Sequence, residues 1–113
     1  MLVDIRTRRF TLTPALRDYC ERRLRFALGR FSAHLSRVNA RLSDINGPRG
    51  GDDKRCLLVV FLEGANPVSI ERTHRDLYCA IDLAADRIGE AVSRELSRQR
   101  RHTRESPMLK AVP

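Results

Sequence analysis

The sequence predicts an α+β fold, a two-layer sandwich in which a four-stranded mixed sheet carries both helices on one face. Two segments repeat apolar residues every three or four positions, as helices buried on one side do. Four shorter segments are alternating or continuously apolar, as strands are. Their order is β-α-β-β-β-α. The first two strands flank a helix and should be joined by a right-handed crossover, whereas the later strands should pair antiparallel.

The first half of the chain contains two strands and a helix. Residues 2–6 alternate and predict a short strand. Thr13 supplies a hydroxyl cap and Pro14 suits the first helical position, so a helix is predicted over 14–31. Alternation over 37–43 predicts a half-buried strand with a polar outer face.

The second half contains two strands and a long helix. Residues 56–62 are continuously apolar, which predicts a central strand covered on both faces, or on one face plus a partner. A turn-rich loop at 46–53 precedes this strand and a tight turn at 64–67 follows it. Residues 68–72 alternate and predict an outer strand, and a long helix is predicted over 76–103.

Length and composition limit the class of protein. The 113 residues suit one α/β domain, assigned to residues 1–104, followed by a short flexible tail at 105–113. The net charge is +8 and the isoelectric point about 10.6. Such an excess is typical of nucleic-acid binders, although an anionic membrane or an acidic protein would also be attracted. Only two of the 22 basic residues are lysines. A coding bias towards arginine can explain that choice, but it does not explain why basic residues outnumber acidic ones.

Targeting and cysteine patterns indicate a cytosolic protein. The N-terminus shows no signal-peptide pattern, and no stretch approaches the roughly 18 apolar residues of a membrane span. The cysteines, Cys20, Cys56 and Cys79, are odd in number and lack C-x-x-C spacing. We therefore expect reduced, mostly buried thiols and a cytoplasmic location.

A row of arginines on the last helix is the leading candidate for a binding surface. On a helical wheel of 3.6 residues per turn, steps of seven, four and three residues bring four arginines to nearly the same side of the helix, about a third of a turn from its apolar side: Arg87, Arg94, Arg98 and Arg101. We label the predicted second helix, residues 76–103, α2 and call these four residues the α2 stripe, which Arg100 and Arg104 would extend. A guanidinium can grip two phosphate oxygens at once. The alternative is a solvated helix face, but Glu95 is the only acid between Arg94 and Arg104.

The first helix offers a second row, Tyr19, Arg23, Phe26 and Arg30, along one flank. Aromatic residues interleaved with cations suit RNA, because rings stack on bases while cations hold phosphates. Alternatively, the rings seal the edge of the core and the arginines extend over it. With both helices on one side of the sheet, the two rows could merge into one basic groove.

The remaining polar residues indicate no catalytic or metal site. Asp76 is predicted to cap the second helix. Asp52, Asp53 and Glu71 lack the spacing of a metal-dependent nuclease. No histidine has a partner at ligand spacing, and no nucleophile elbow, phosphate loop or dinucleotide fingerprint is found; the histidines are His34, His74 and His102. We therefore expect no enzyme activity, no cofactor, no metal and no small-molecule substrate.

Two motifs resemble a known family. Thr13-Pro14-Ala15-Leu16-Arg17 is similar to the start of the first helix in the ribosome hibernation-promoting factors and the ribosome-associated inhibitor A. Asp76-Leu77-Tyr78-Cys79-Ala80-Ile81-Asp82 resembles that family's Asp-Met-Tyr-Ala-Ala-Ile-Asp signature. The resemblance covers residues 1–103 and agrees with the predicted element order.

The resemblance implies a non-enzymatic protein that binds the small ribosomal subunit at its 16S rRNA, near the decoding region. There it would exclude messenger RNA and A- and P-site tRNA and silence idle ribosomes in stress or stationary phase. A separate ribosome-dimerising factor is a further implied partner. Together, the charge pattern and the resemblance predict an RNA-binding set: Arg23, Arg30, Asp76, Tyr78, Arg87, Arg94, Arg98 and Arg101.

The chain departs from the family pattern in three places. Phe26 stands where relatives carry a lysine, Glu90 stands where a basic residue is expected, and the loop at 46–53 is longer and richer in glycine. The chain resembles the short form, without the C-terminal dimerisation domain of the long form. Two other functions stay open: a general structured-RNA-binding domain, and a module whose basic helix docks an acidic protein.

Overall fold

The order of apolar and polar residues builds two helices and four strands. The computed structural model describes residues 1–45 and 53–105, with side chains up to residue 101. The elements are β1 (Leu2–Arg8), α1 (Pro14–Leu28), a 3₁₀ helix (Gly29–His34), β2 (Leu35–Asp44), β3 (Lys54–Leu62), β4 (Val68–His74) and α2 (Leu77–Glu105). The sheet order is β1-β2-β3-β4, with β1 and β2 parallel and the other pairs antiparallel. The predicted fold class, element order and mixed sheet are confirmed.

The main difference from prediction is the end of the first helix. It was predicted to reach residue 31, but α1 ends at Leu28 and the chain tightens into the 3₁₀ helix. Phe31 still packs against the core from that 3₁₀ helix, so its spacing imitates another helical turn. The strands also run longer than predicted; β1, for example, continues to Arg8 and ends where Arg9 takes a φ of 72°. The predictions for the loop at 46–52 and the tail at 106–113 lie outside the described residues.

The core lies between the sheet and the two helices. Alternate residues of β2 and β3 are fully buried, and they meet the apolar sides of both helices. At its centre, Leu24 of α1 and Ile81 and Ile88 of α2 are fully inaccessible to solvent. Burying side chains of this size contributes roughly 1.5–3 kcal/mol each. This interior fixes the two helices side by side on one face of the sheet.

The other face of the sheet has no covering layer among the described residues. Leu57, Val59 and Phe61 of β3 point to this side and are only half-buried. Of the two alternatives for the continuously apolar strand, cover on both faces is therefore wrong for the described chain. The residues alternate strictly in burial although they do not alternate in polarity, because the helices cover one side only. We call this exposed side the open face of the sheet.

Candidate nucleic-acid interface

Helix α2 begins at a well-formed cap. The Asp76 carboxylate accepts a hydrogen bond of 3.0 Å from the backbone N–H of Tyr78, and the Asp76 carbonyl accepts one from the N–H of Ala80. The backbone N–H of Asp76 in turn donates to Nδ1 of His74. The predicted capping role of Asp76 is confirmed, and it anchors the end of a helix about 43 Å long.

The α2 stripe lies on the side of the helix away from its buried residues. Arg94, Arg98 and Arg101 are exposed, and Arg87 is half-buried. Arg94 and Arg101 have no carboxylate within ion-pair distance among the side chains described. These two guanidiniums therefore project into solvent with their donors available. The side chain of Arg104, which was expected to extend the stripe, lies outside the described part.

The other two stripe arginines share their charge with acids of the same helix. Arg87 pairs with Glu90 three residues on, and Arg98 donates two hydrogen bonds to Glu95. Arg98, and a hydrogen bond from the backbone of Asn66, hold the pKa of the Glu95 carboxyl below its usual range. The stripe is thus two open cations and two paired ones, more ion-paired than the sequence suggested.

The first-helix row is not a free surface in its N-terminal half. Arg23 donates to Asp82 Oδ1 at 3.0 Å and to Asp86 Oδ1 at 2.8 Å, both on α2. Tyr19 donates its hydroxyl to the same Asp82 oxygen, which raises the pKa of Tyr19. The ring of Tyr19 meets that of Tyr78 edge-on, with centroids 4.9 Å apart. These residues bind the two helices to each other. The alternative interpretation, in which the rings of this row seal the edge of the core, therefore holds for Tyr19 but not for Phe26, which is exposed.

The predicted single basic groove between the helices is therefore wrong. Asp82 and Asp86 face α1 across the seam, so carboxylates alternate with cations there. The sequence shows the acids, but helical periodicity alone does not reveal that they turn towards α1. The α2 stripe and the seam are separate features of the surface.

Three predicted residues remain exposed or partly exposed near the helices. Arg30 lies over the ring of Phe31, with 4.6 Å from its guanidinium carbon to the ring centroid. It lines a cleft of about 260 Å³ with Leu96 and Arg100 of α2. Phe26 is 85% exposed and Tyr78 40% exposed, so each offers a ring face to a ligand. The structure thus gives the helical side stacking groups as well as cations.

The acids and thiols show no arrangement for catalysis within the described chain. Asp53 pairs with Lys54, and Glu71 pairs with Arg55. No group of three or more potential ligands is close enough to hold a metal among the described residues. Burial raises the pKa of the Cys20 thiol to about 12, so this buried cysteine is a poor nucleophile. No helix in the described ranges is both long and apolar enough to cross a membrane.

Comparisons with known proteins agree with the fold and the motifs. The model of the family "Sigma 54 modulation protein / S30EA ribosomal protein" matches residues 3–100. The protein Y N-terminal domain of Thermus thermophilus is 32% identical with a TM-score of 0.69, covering 83% of this chain and 98% of its own. A ribosomal subunit interface protein from Coxiella burnetii is 20% identical with a TM-score of 0.70, and the match covers 86% of this chain and 99% of that protein. At this identity the likeness supports the fold alone. A search of curated proteins gave no match. Since the family model spans most of the sequence, the chain belongs to the sigma 54 modulation protein / S30EA ribosomal protein family.

Proposed function

We propose that this protein binds the small ribosomal subunit and keeps idle ribosomes from translating. Membership of a family named for a ribosomal protein supports the ribosome as partner. The Coxiella burnetii protein of the same fold is a ribosomal subunit interface protein by name. The excess positive charge of the chain supports RNA as the component contacted.

The observation that carries the proposal is the pair of open guanidiniums, Arg94 and Arg101, on a rigid capped helix. Neither has an acidic partner in the described structure, so neither must give up an ion pair to bind a phosphate. Arg98 lies between them, but it is held by two hydrogen bonds to Glu95, whose side chain is only 16% exposed, so Arg98 must give up that bidentate pair to bind a phosphate. Binding through such contacts would weaken steeply with salt.

The other predicted residues have supporting roles in this proposal. Tyr78, which is 40% exposed and packs at a steep angle against the ring of Tyr19, would offer its exposed part to an RNA base. Asp76 acts by capping α2 and so orienting the stripe. Arg23 acts by holding the helices together, whereas Arg30 is placed to reach RNA beside the cleft at Phe31.

The mechanism we propose is occlusion. A preformed domain loses little conformational freedom on binding, so its contacts are available for affinity. Bound near the decoding region of 16S rRNA, it would exclude messenger RNA and A- and P-site tRNA in cytoplasmic ribosomes under stress or in stationary phase. The proposal includes a second partner, a separate ribosome-dimerising factor, whose action would convert single ribosomes into pairs.

The test is co-sedimentation with purified 30S subunits. Arg94→Gln with Arg101→Gln should remove most of the binding while the fold stays intact, because neither side chain makes a hydrogen bond or ion pair within the described residues. The matched control is Arg22→Gln with Arg25→Gln, which removes the same charge from α1 beside Asp18 and Glu21. Wild-type binding by the stripe variant, or equal loss by the control, would contradict the proposed site.

Two further measurements separate this function from its rivals. A general structured-RNA-binding domain would bind free duplex RNA as tightly as 30S subunits, whereas a ribosome factor should prefer the subunits. A module that docks an acidic protein would retain no RNA on pull-down at low salt. Sedimentation of lysate from starved cells shows whether the protein travels with 30S, single or paired ribosomes.

A further inference from the structure

The open face of the sheet carries a second group of arginines, away from the helices. β1 contributes Arg6 and Arg8, β2 contributes Arg37 and Arg41, and β3 contributes Arg55. In the strand register Arg6 lies opposite Arg41, and Ser43 lies between Arg8 and Arg55. Four guanidiniums therefore gather at the end of the sheet where β1 and β2 finish.

In the part of the chain that the structure describes, acids near this charge are few: besides Asp44, which lines an adjoining cleft with Arg8 and Arg55, the open face carries two. Asp4 and Glu71 are the acids that the register places on this face in the described chain, and they pair with Arg6 at 3.2 Å and Arg55 at 3.3 Å. Arg8 and Arg41 are exposed and have no carboxylate partner among the described residues. Like charges opposite each other on neighbouring strands destabilise a sheet. An anion bound between them would offset that cost.

The surface there has a shape suited to such an anion. A cleft of about 280 Å³ is lined by Arg6, Arg8, Arg41, Ser43 and Arg55. A second cleft of about 170 Å³ shares Arg6 and Arg41 and continues along β2 towards Arg37. Together the clefts extend for about 20 Å along β2, from Arg37 to Ser43. The clefts form an elongated track of cations, interrupted at Asp4, rather than a single-ion pocket.

Two buried polar atoms of this face lack a partner within the described chain, and an apolar strip beside the cations favours a nucleic-acid ligand. Buried side-chain atoms without a hydrogen-bond partner in the described structure occur at Asn39 Oδ1 and Arg55 Nε, both in residues of this face. Such atoms normally find a partner. Beside the track, Leu57 and Val59 form a half-buried apolar strip that ends at Phe61, whose ring lies 5.1 Å beneath the Arg37 guanidinium. Apolar and aromatic surface next to cations suits bases and phosphates together.

We propose that the open face of the sheet is a second RNA-binding surface, which holds a phosphate backbone along Arg6, Arg8, Arg41 and Arg55. With the α2 stripe on the helical side, the domain would then contact RNA on two faces at once. As a ribosomal contact this inference rests on the proposed function. An acidic protein segment would meet the same charge but would not use the apolar strip for stacking.

The test compares three variants with the wild type: a sheet variant, Arg8→Gln with Arg41→Gln; the stripe variant, Arg94→Gln with Arg101→Gln; and the control, Arg22→Gln with Arg25→Gln. Affinity for 30S subunits is measured across a range of salt concentrations. The sheet variant should bind at least tenfold more weakly. Its plot of log affinity against log salt concentration should be shallower, with the magnitude of the slope smaller by about two, because each substitution removes one arginine that binds a phosphate. Its thermal unfolding midpoint should stay the same or rise, because it removes repulsion without breaking an ion pair.

Each other result is decisive. A sheet variant with wild-type affinity and slope, beside a stripe variant that fails to bind, would overturn the second surface and leave the proposed function standing. If the sheet variant lost 30S binding but bound RNA extracted from those subunits with wild-type affinity, the partner of the open face would be a protein, and the RNA assignment would be overturned. Wild-type protein that ignores 30S subunits would contradict the proposed function. In that case the extracted RNA decides the second surface. If the sheet variant binds it more weakly than the wild type, the proposed RNA-binding surface is supported, and if the two bind equally, it is overturned.

Discussion

Arg23 on α1 and Asp82 on α2, 59 residues apart in sequence, meet across the helix–helix seam with 3.0 Å between Nε and Oδ1. The same aspartate oxygen accepts the hydroxyl of Tyr19. The seam is therefore closed by one carboxylate that receives donors from two turns of the facing helix. The main role of Arg23 is therefore to hold the two helices together. The open cations of the α2 stripe take no part in this contact, so they can be substituted without breaking it.

The first prediction concerns this ion pair. Arg23→Gln should lower the free energy of unfolding by about 1–2 kcal/mol, because Asp82 and Asp86 lose their charged donor. Urea unfolding measures the change, and a double-mutant cycle with Asp82→Asn should give a favourable coupling energy. Arg25→Gln, which breaks only a surface pair with Glu21, is the control and should change stability much less. Equal losses in the two variants would show that the seam contributes nothing specific.

The second prediction concerns pH. The hydrogen bond to Asp82, followed by desolvation, raises the pKa of Tyr19 in the folded protein above its ordinary value of about 10. A raised folded pKa means that the contribution of the neutral phenol to stability is complete below about pH 10 and is lost as the pH rises through the folded value. Wild type should therefore exceed Tyr19→Phe in stability at pH 8, and the gap should narrow above pH 10.

Urea unfolding of both proteins at several alkaline pH values measures that gap. Buried thiols such as Cys20 also ionise at high pH, but they are common to both proteins and cancel in the difference. A gap that stays constant up to about pH 11 would mean that the folded and unfolded pKa values of Tyr19 are the same.

The third prediction concerns a close contact between the helices at Gly89. A Cβ on Gly89 would lie 3.1 Å from the carbonyl oxygen of Ala27 on α1, tighter than ordinary contact. Gly89→Val should push the helices apart and lower the free energy of unfolding by about 1–3 kcal/mol. Gly29→Val is the matched control, because a Cβ on Gly29 would meet nothing within 4 Å and its φ is −56°. Calorimetric unfolding of both variants checks the difference; an equally stable Gly89→Val would show that the seam adapts.

The sequence was sufficient for the features that depend on local periodicity. The bearing of the α2 stripe, the cap at Asp76 and the order of the elements follow from spacing and turn chemistry, and the structure reproduces them. Spacing does not reveal which neighbour an exposed side meets. Asp82 and Asp86 have polar positions on their helix, and only the packing of α1 turns them into partners for Arg23.

The open face of the sheet shows the same limit. Alternation over 37–43 predicted a polar outer face for β2. However, the gathering of arginines from three strands depends on strand register, which places Arg6 opposite Arg41. Register depends on pairing between distant segments, so a one-residue shift would scatter these cations. Composition indicated a polyanion binder, but only the fold shows that its cations occupy two faces.

The last prediction concerns Glu90, an acid on the same helix as the stripe, at a position where the resemblance led us to expect a basic residue. Its carboxylate pairs with Arg87 and competes with any phosphate for that guanidinium. Glu90→Gln should therefore tighten binding to 30S subunits several-fold and steepen the salt dependence by about one, as a fourth arginine becomes available. Glu21→Gln, which releases Arg25 on α1 with the same change in net charge, is the control and should leave the slope unchanged.

If both variants tighten binding equally, net charge governs affinity and the stripe has no special role. If Glu90→Gln alone does so, Arg87 becomes a phosphate contact once its acid is removed, and the acid at this position limits the affinity of this chain.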